Sequence, residues 1–203
     1  MKFVPLLACL SAALALVAVP THAQDMGWQN SYQLEALGRY SDAMAALEPI
    51  AASGPEGEFK TLRRGWLFYL AGSYNESIRE YRLATERNSR SLDARLGLTL
   101  PLLAEKRWRD AELAARAALE LAPNNYFGLL RLAIAQEGQR DWTNMVKTTS
   151  ILVATYPSDA SAYVYHARAN AGLGKRDDAL AAYSSVLVRL PGHLEAKAFI
   201  EKK

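Results

Sequence analysis

The sequence predicts an all-α protein, a solenoid of five tandem helix–turn–helix units behind an N-terminal export segment. Three observations carry this. A short phrase recurs five times at one fixed step. Small residues recur in register with it. The composition, 50% apolar and 22% charged and rich in alanine and leucine, suits helices of a soluble globular domain.

Residues 1–23 read as a signal peptide. Lys2 is a minimal basic start, Phe3 to Val19 is apolar and uncharged, and Pro20-Thr21-His22-Ala23 ends the run on a small residue. Cleavage is expected after Ala23. The alternative is an uncleaved membrane anchor, since about 20 apolar residues span a bilayer. Leu6-Leu7-Ala8-Cys9 looks like a lipoprotein cleavage site but lies too early in the run. Cys9 is the only cysteine, so the mature chain would have no disulfide and no thiol chemistry. An exported, cysteine-free helical domain fits the bacterial periplasm.

The recurring phrases are Gly38-Arg39-Tyr40-Ser41-Asp42-Ala43, Gly72-Ser73-Tyr74-Asn75-Glu76-Ser77, Lys106-Arg107-Trp108-Arg109-Asp110-Ala111, Arg140-Asp141-Trp142-Thr143-Asn144-Met145 and Gly174-Lys175-Arg176-Asp177-Asp178-Ala179. Tyr40, Tyr74, Trp108 and Trp142 stand 34 residues apart, and Arg176 continues the step. Pro55, Ser89, Pro123, Pro157 and Pro191 keep the same step. Units 24–57, 58–91, 92–125, 126–159 and 160–193 therefore abut, each holding a helix A, a tight turn and a helix B. Ser41, Asn75, Thr143 and Asp177 are expected N-caps of the B helices. The proline of each unit is expected to end helix B. Asn124-Asn125 and Ser158-Asp159 should start the next A helices.

Helix A carries one small slot, read as Ser31, Gly65, Thr99, Ala133 and Ala167, which lets it pack closely on its own helix B. The matching slot of helix B reads Ala43, Ser77, Ala111, Met145 and Ala179. Larger packing slots follow at Leu47, Tyr81, Ala115, Thr149 and Tyr183, then at Ile50, Ala84, Ala118, Leu152 and Val186. Residues 194–203 begin another helix with Leu194, Ala198 and Phe199 inward and Lys197, Glu201, Lys202 and Lys203 toward water, a C-terminal cap over the exposed end of the last unit. Pro101 falls inside the third A helix, where a kink at Gly97–Pro101 is expected, and Pro49 intrudes in the first B helix. His166 and Asn170 occupy A-helix slots that resemble buried apolar positions, which points to looser packing of the last unit.

Period, slots and turns together resemble the tetratricopeptide repeat (TPR) family over about five-sixths of the chain. The resemblance implies antiparallel helix pairs in a right-handed superhelix whose concave face is lined by A helices. It also implies a non-catalytic binding scaffold. Mapped by this resemblance, the groove is lined by Trp28, Tyr32, Phe59, Leu62, Arg63, Trp66 and Tyr69 from the first two units. Asp93, Leu96, Leu100, Phe127, Leu130, Arg131 and Ile134 follow, then Val164, Tyr165 and Arg168. The lining is apolar and aromatic, as at partner sites. The Lys, Asn and Arg clamp that one TPR subclass uses for a terminal carboxylate is absent in every frame. An apolar helix or extended segment of a partner protein is the expected occupant.

Enzymatic chemistry has no visible basis. His166 and His193, the histidines of the mature chain, are 27 residues apart and lack nearby second ligands. A zinc site needs three or four, so no metal is expected. No nucleophile elbow, phosphate loop or dinucleotide pattern occurs, and no cofactor is expected. Asp177-Asp178 suit a helix N-terminus, and Gly172-Leu173-Gly174 a helix–helix turn. Arg63-Arg64, the series Arg79, Arg82, Arg87 and Arg90, and Lys106-Arg107 with Arg109 are basic clusters with Glu76, Glu80 and Glu86 interleaved. They read first as a solvated face and second as a docking patch for an acidic partner or anionic polysaccharide. The net charge of +3 gives no reason to expect nucleic acid. The functional expectation is an envelope adaptor for a partner protein. A carbohydrate-associated module of an exopolysaccharide or outer-membrane secretion system is the alternative.

Overall fold

The computed structural model describes residues 22–202. The apolar stretch Phe3 to Val19 and Cys9 lie outside the described residues. Eleven helices follow one another: α1 (His22–Ala36), α2 (Tyr40–Ala45), α3 (Gly54–Leu70), α4 (Tyr74–Arg87), α5 (Leu92–Ala104), α6 (Trp108–Leu121), α7 (Tyr126–Gly138), α8 (Trp142–Thr155), α9 (Ala160–Gly172), α10 (Arg176–Arg189) and α11 (Leu194–Glu201). Each packs on the next, and α3, α5, α7 and α9 also touch in succession. The A helices thus form a continuous layer, with the B helices behind it.

The even-numbered helices α2 to α10 begin at 34-residue steps, on the aromatic of each phrase or on Arg176. The turn explains the register. Gly38, Gly72, Lys106, Arg140 and Gly174 all have positive φ, between 56° and 75°. A left-handed residue there reverses the chain, and glycine meets it without a steric cost. The N-caps of the B helices consequently fall at Arg39, Ser73, Arg107, Asp141 and Lys175, two residues before the expected set. Only Asp141 among these five accepts a bond with its side chain, from the Asn144 amide. The A helices are capped as expected, Asn125 and Asp159 accepting from the Gly128 and Ala162 amides at 2.9 and 2.7 Å.

The first unit departs from the rest. Helix α2 stops at Ala45, and i→i−3 bonds from Leu47 to Met44 and from Glu48 to Ala45 carry the chain to Pro49. Lys60 covers the freed carbonyls, its Nζ donating to the oxygens of Glu48 and Ile50. Pro55, expected to end a B helix, instead stands in the first turn of α3, where its missing N–H has no partner to lose. Helix α3 begins at Gly54, so the step between units at 57 and 58 falls inside it. Pro101 lies buried within α5, which runs unbroken past it. The preceding turn is tied by side chains: Thr99 Oγ1 and Arg131 Nη1 both donate to the Leu96 carbonyl, at 2.6 Å each.

Every residue of the two small slots is buried. Leu47, Leu67, Met145, Leu152 and Val186 are enclosed beside them, each worth about 1.5–3 kcal/mol by removal from water. Aromatic rings lock neighbouring units. A Cβ on Gly138 would lie 2.4 Å from the Trp108 ring, and one on Gly172 would lie 2.3 Å from Trp142. Each tryptophan therefore fills the space over the end of the next A helix.

Candidate partner-binding face

At the N-terminal end of the A layer the aromatic residues form a bound cluster. Trp28 stacks on Phe59 with centroids 4.7 Å apart and donates from Nε1 to Glu56. Arg63 is 5% exposed, lies beneath the Tyr32 ring at 3.9 Å, and pairs with Glu35. Glu35 also accepts from Trp66 Nε1 at 2.8 Å. Trp66 and Tyr69 adjoin, at 5.6 Å between rings.

In the middle, Tyr81 of α4 threads forward between α3 and α5. A Cβ on Gly65 would stand 3.0 Å from its ring, and one on Gly97 only 2.1 Å. Burial drives the Tyr81 hydroxyl well above the usual tyrosine range. Arg131 lies near it, bound to the Leu96 carbonyl and Thr99 and stacked 5.2 Å over Phe127. Burial lowers the Arg131 pKa.

At the C-terminal end, Arg168 of α9 bonds Glu195 of α11 at 2.8 and 2.6 Å and reaches Glu137 of α7 at 3.5 Å. Tyr183 donates to the same Glu195 at 2.6 Å. The Arg168 bonds hold the Glu195 carboxyl below its ordinary pKa. Burial raises that of Glu137. Arg168 also covers Tyr165, at 5.3 Å.

The structure sorts the expected groove residues by exposure. Tyr32, Phe59 and Phe127 are 49%, 45% and 52% exposed, open rings on the A layer. Trp28, Leu62, Trp66, Tyr69, Leu100, Leu130, Arg131, Ile134, Tyr165 and Arg168 are half-buried. Arg63, Leu96 and Val164 are buried and are corrected from contact residues to structural ones. Arg63 is consumed by Glu35 and Tyr32, and Leu96 is turned into the packing of α5. The expectation missed Glu35, Glu137 and Glu195, the carboxylates that hold the face together. One signal was available, since Glu35–Trp66 and Glu137–Arg168 share the same 31-residue offset.

His166 and Asn170 line a cavity of about 460 Å³ between α8 and α10. Their polar atoms satisfy one another. Asn170 donates to His166 Nε2 and to its carbonyl, and His166 Nδ1 meets Thr149 Oγ1 at 2.9 Å. Thr149 donates onward to the Met145 carbonyl, so Nδ1 carries the proton. Burial lowers the His166 pKa. Among the described residues no group of three His, Cys, Asp or Glu is placed to hold a metal ion. No described helix is long and apolar enough to cross a membrane.

A family model for the tetratricopeptide repeat matches residues 128–159, the span of α7 and α8. Solved structures extend the likeness along the chain. MamA from Desulfovibrio magneticus RS-1 superposes with a TM-score of 0.72 at 15% identity, over 86% of this chain and 98% of that one. A thermophilic TPR protein of Thermus thermophilus gives 0.63 at 18% identity, over 86% and 95%. YrrB, described as a TPR protein with an unusual peptide-binding site, gives 0.69 at 15% identity, over 85% and 89%. The fold is a TPR solenoid. No curated protein sequence matches the chain. In TPR terms, the face described above is the A-helix layer, and Tyr32, Phe59 and Phe127 are its open aromatic positions.

Proposed function

We propose that this TPR solenoid is a non-catalytic scaffold that binds an apolar helix or extended segment of a partner protein along its A-helix face. One observation carries the reading. Tyr32, Phe59 and Phe127 stay about half exposed on a face where Arg63 and Arg168 are already paired with Glu35 and Glu195. Exposed rings over a fixed frame supply contact area with little ordering cost, as at binding hot spots. The peptide site in the printed description of YrrB supports the same kind of ligand. The apolar run before residue 24, ending in Pro20-Thr21-His22-Ala23, supports a setting in the periplasm, among envelope proteins.

A carbohydrate module has less support. Of the tryptophans on this face, Trp28 is spent on Phe59 and Glu56, and Trp66 on Glu35 and Tyr69, so neither indole is free to stack on a sugar. The test is affinity capture from envelope extract with the native chain and a Phe59→Ala, Phe127→Ala variant. Because Phe59 also stacks on Trp28 and Phe127 lies under Arg131, a thermal melt first checks that the variant is folded. A partner recovered by the native chain and lost by the variant is expected. Equal recovery of every partner by both would remove the groove from the account.

A further inference from the structure

Behind the A layer, two cavities meet at Arg107. The first, of about 530 Å³, lies between α4 and the start of α6. It is lined by Asn75, Ile78, Arg79, Arg82, Leu83, Glu86 and Arg107. The second, of about 490 Å³, is lined by Lys106, Arg107, Trp108, Arg109, Asp110 and Gln139. Together they hold five cations and two carboxylates, an excess of three. The other 196 residues hold 19 Lys and Arg against 19 Asp and Glu, so the excess here equals the net +3 of the whole chain.

The cations are also available. Arg79, Arg82, Lys106 and Arg109 form none of the ion pairs found among the described residues, and only Arg107 is engaged, by Asp110. Several arginines elsewhere are paired: Arg63 with Glu35, Arg64 with Glu48 and Glu80, Arg116 with Glu112, and Arg168 with Glu137 and Glu195. The floor is aliphatic. Ile78 is buried and Leu83 is 37% exposed between the guanidinium groups.

We infer that this surface is a second docking site, for an acidic polypeptide segment that carries an aliphatic side chain. Planar guanidinium forks match carboxylates two bonds at a time. The Ile78–Leu83 floor takes an apolar residue set among those carboxylates. An acidic polysaccharide fits less well. The Ile78–Leu83 floor gives a sugar ring no aromatic face to stack on, and the Trp108 ring is packed over Gly138 of α7. The site lies on the opposite side of the solenoid from Tyr32, Phe59 and Phe127, so both could be filled at once.

The test is fluorescence anisotropy of the full chain with labelled peptides built from Asp, Glu and a single Leu, and with alginate as the polyuronate competitor. Saturable peptide binding is expected, weakening as salt is raised. Arg79→Glu with Arg82→Glu should weaken it by roughly tenfold or more. Arg39→Glu with Lys147→Glu removes the same charge elsewhere and should leave it nearly unchanged. Thermal melts confirm that both variants are folded. Failure of every acidic peptide to saturate overturns the inference, and so does equal weakening by both variants, which would mark a bulk charge effect. Alginate binding as tightly as the peptides, at the same arginines, would replace the polypeptide with a polysaccharide.

Discussion

Arg168 grips Glu195 through two parallel bonds, of 2.8 and 2.6 Å, and so ties the last A helix to α11. Tyr183 closes the same carboxylate from α10. The apolar side of α11 is slight: Leu194 and Ala198, expected inward, are exposed, and only Ala196 is buried while Phe199 stacks on Tyr183, so this polar clasp decides whether the cap stays down. Glu195→Ala should cost roughly 1–2 kcal/mol, because it strips partners from both Arg168 and Tyr183. Chemical denaturation measures it. The pH dependence has a definite sign. The folded pKa of Glu195 lies below the ordinary 4.5, so its contribution is complete above that value and is lost as the pH falls through the folded pKa. In Glu195→Gln that acid-side loss should shrink.

Gly97→Ala should destabilise the chain by about 1–3 kcal/mol, since the new methyl would meet the Tyr81 ring head-on. Gly65→Ala should cost less, because there the ring stands at 3.0 Å rather than 2.1 Å. Urea midpoints of the two variants give the comparison, and the reverse order would contradict the wedge.

Lys106 and Arg140 hold left-handed backbone, at φ 56° and 58°, in turns where the other units use glycine. Lys106→Gly and Arg140→Gly should each be neutral to stabilising by up to about 1 kcal/mol, through relief of the Cβ clash. Gly72→Ala, at φ 75°, should lose about 1–2 kcal/mol. Thermal melts of the three variants check the opposite signs.

His166 makes stability sensitive to mild acid. Its folded pKa lies below the ordinary 6.5, so the unfolded chain takes up a proton first. Stability should therefore hold above pH 6.5 and fall as the pH drops from there through the folded pKa. Protonation also places a donor where Nε2 accepts from Asn170. His166→Leu, matching Leu132 and Leu98 in the same slot, should flatten the stability profile over that window.

The helical repeat was legible in the sequence because two demands recur with it. Each turn needs a residue that tolerates positive φ, hence Gly38, Gly72 and Gly174. Each A–B contact needs a small side chain, hence Ser31, Gly65 and Ala133. The exact caps were less legible. Ser41 and Asn75 are good capping residues, but the turn places the helix start on the aromatic before them. Pro55 misled for a related reason: the same residue type suits the end of one helix and the first turn of the next. The face was read as apolar because its rings and aliphatic residues stood out and the carboxylates that pair with its arginines did not. Glu35 and Glu137 are each 31 residues from their partners, so the pairing belongs to the stacking of units rather than to any local motif.

The most direct test is site-specific photocrosslinking in the native envelope, with a photoreactive residue at Tyr32 or Phe127 on the A layer, or at Val188, which is 80% exposed on α10. The account predicts a discrete protein adduct from Tyr32 and Phe127 and none from Val188. Adducts from Val188 alone, with neither A-layer position reacting, would contradict the assignment of the A-helix face as the partner site.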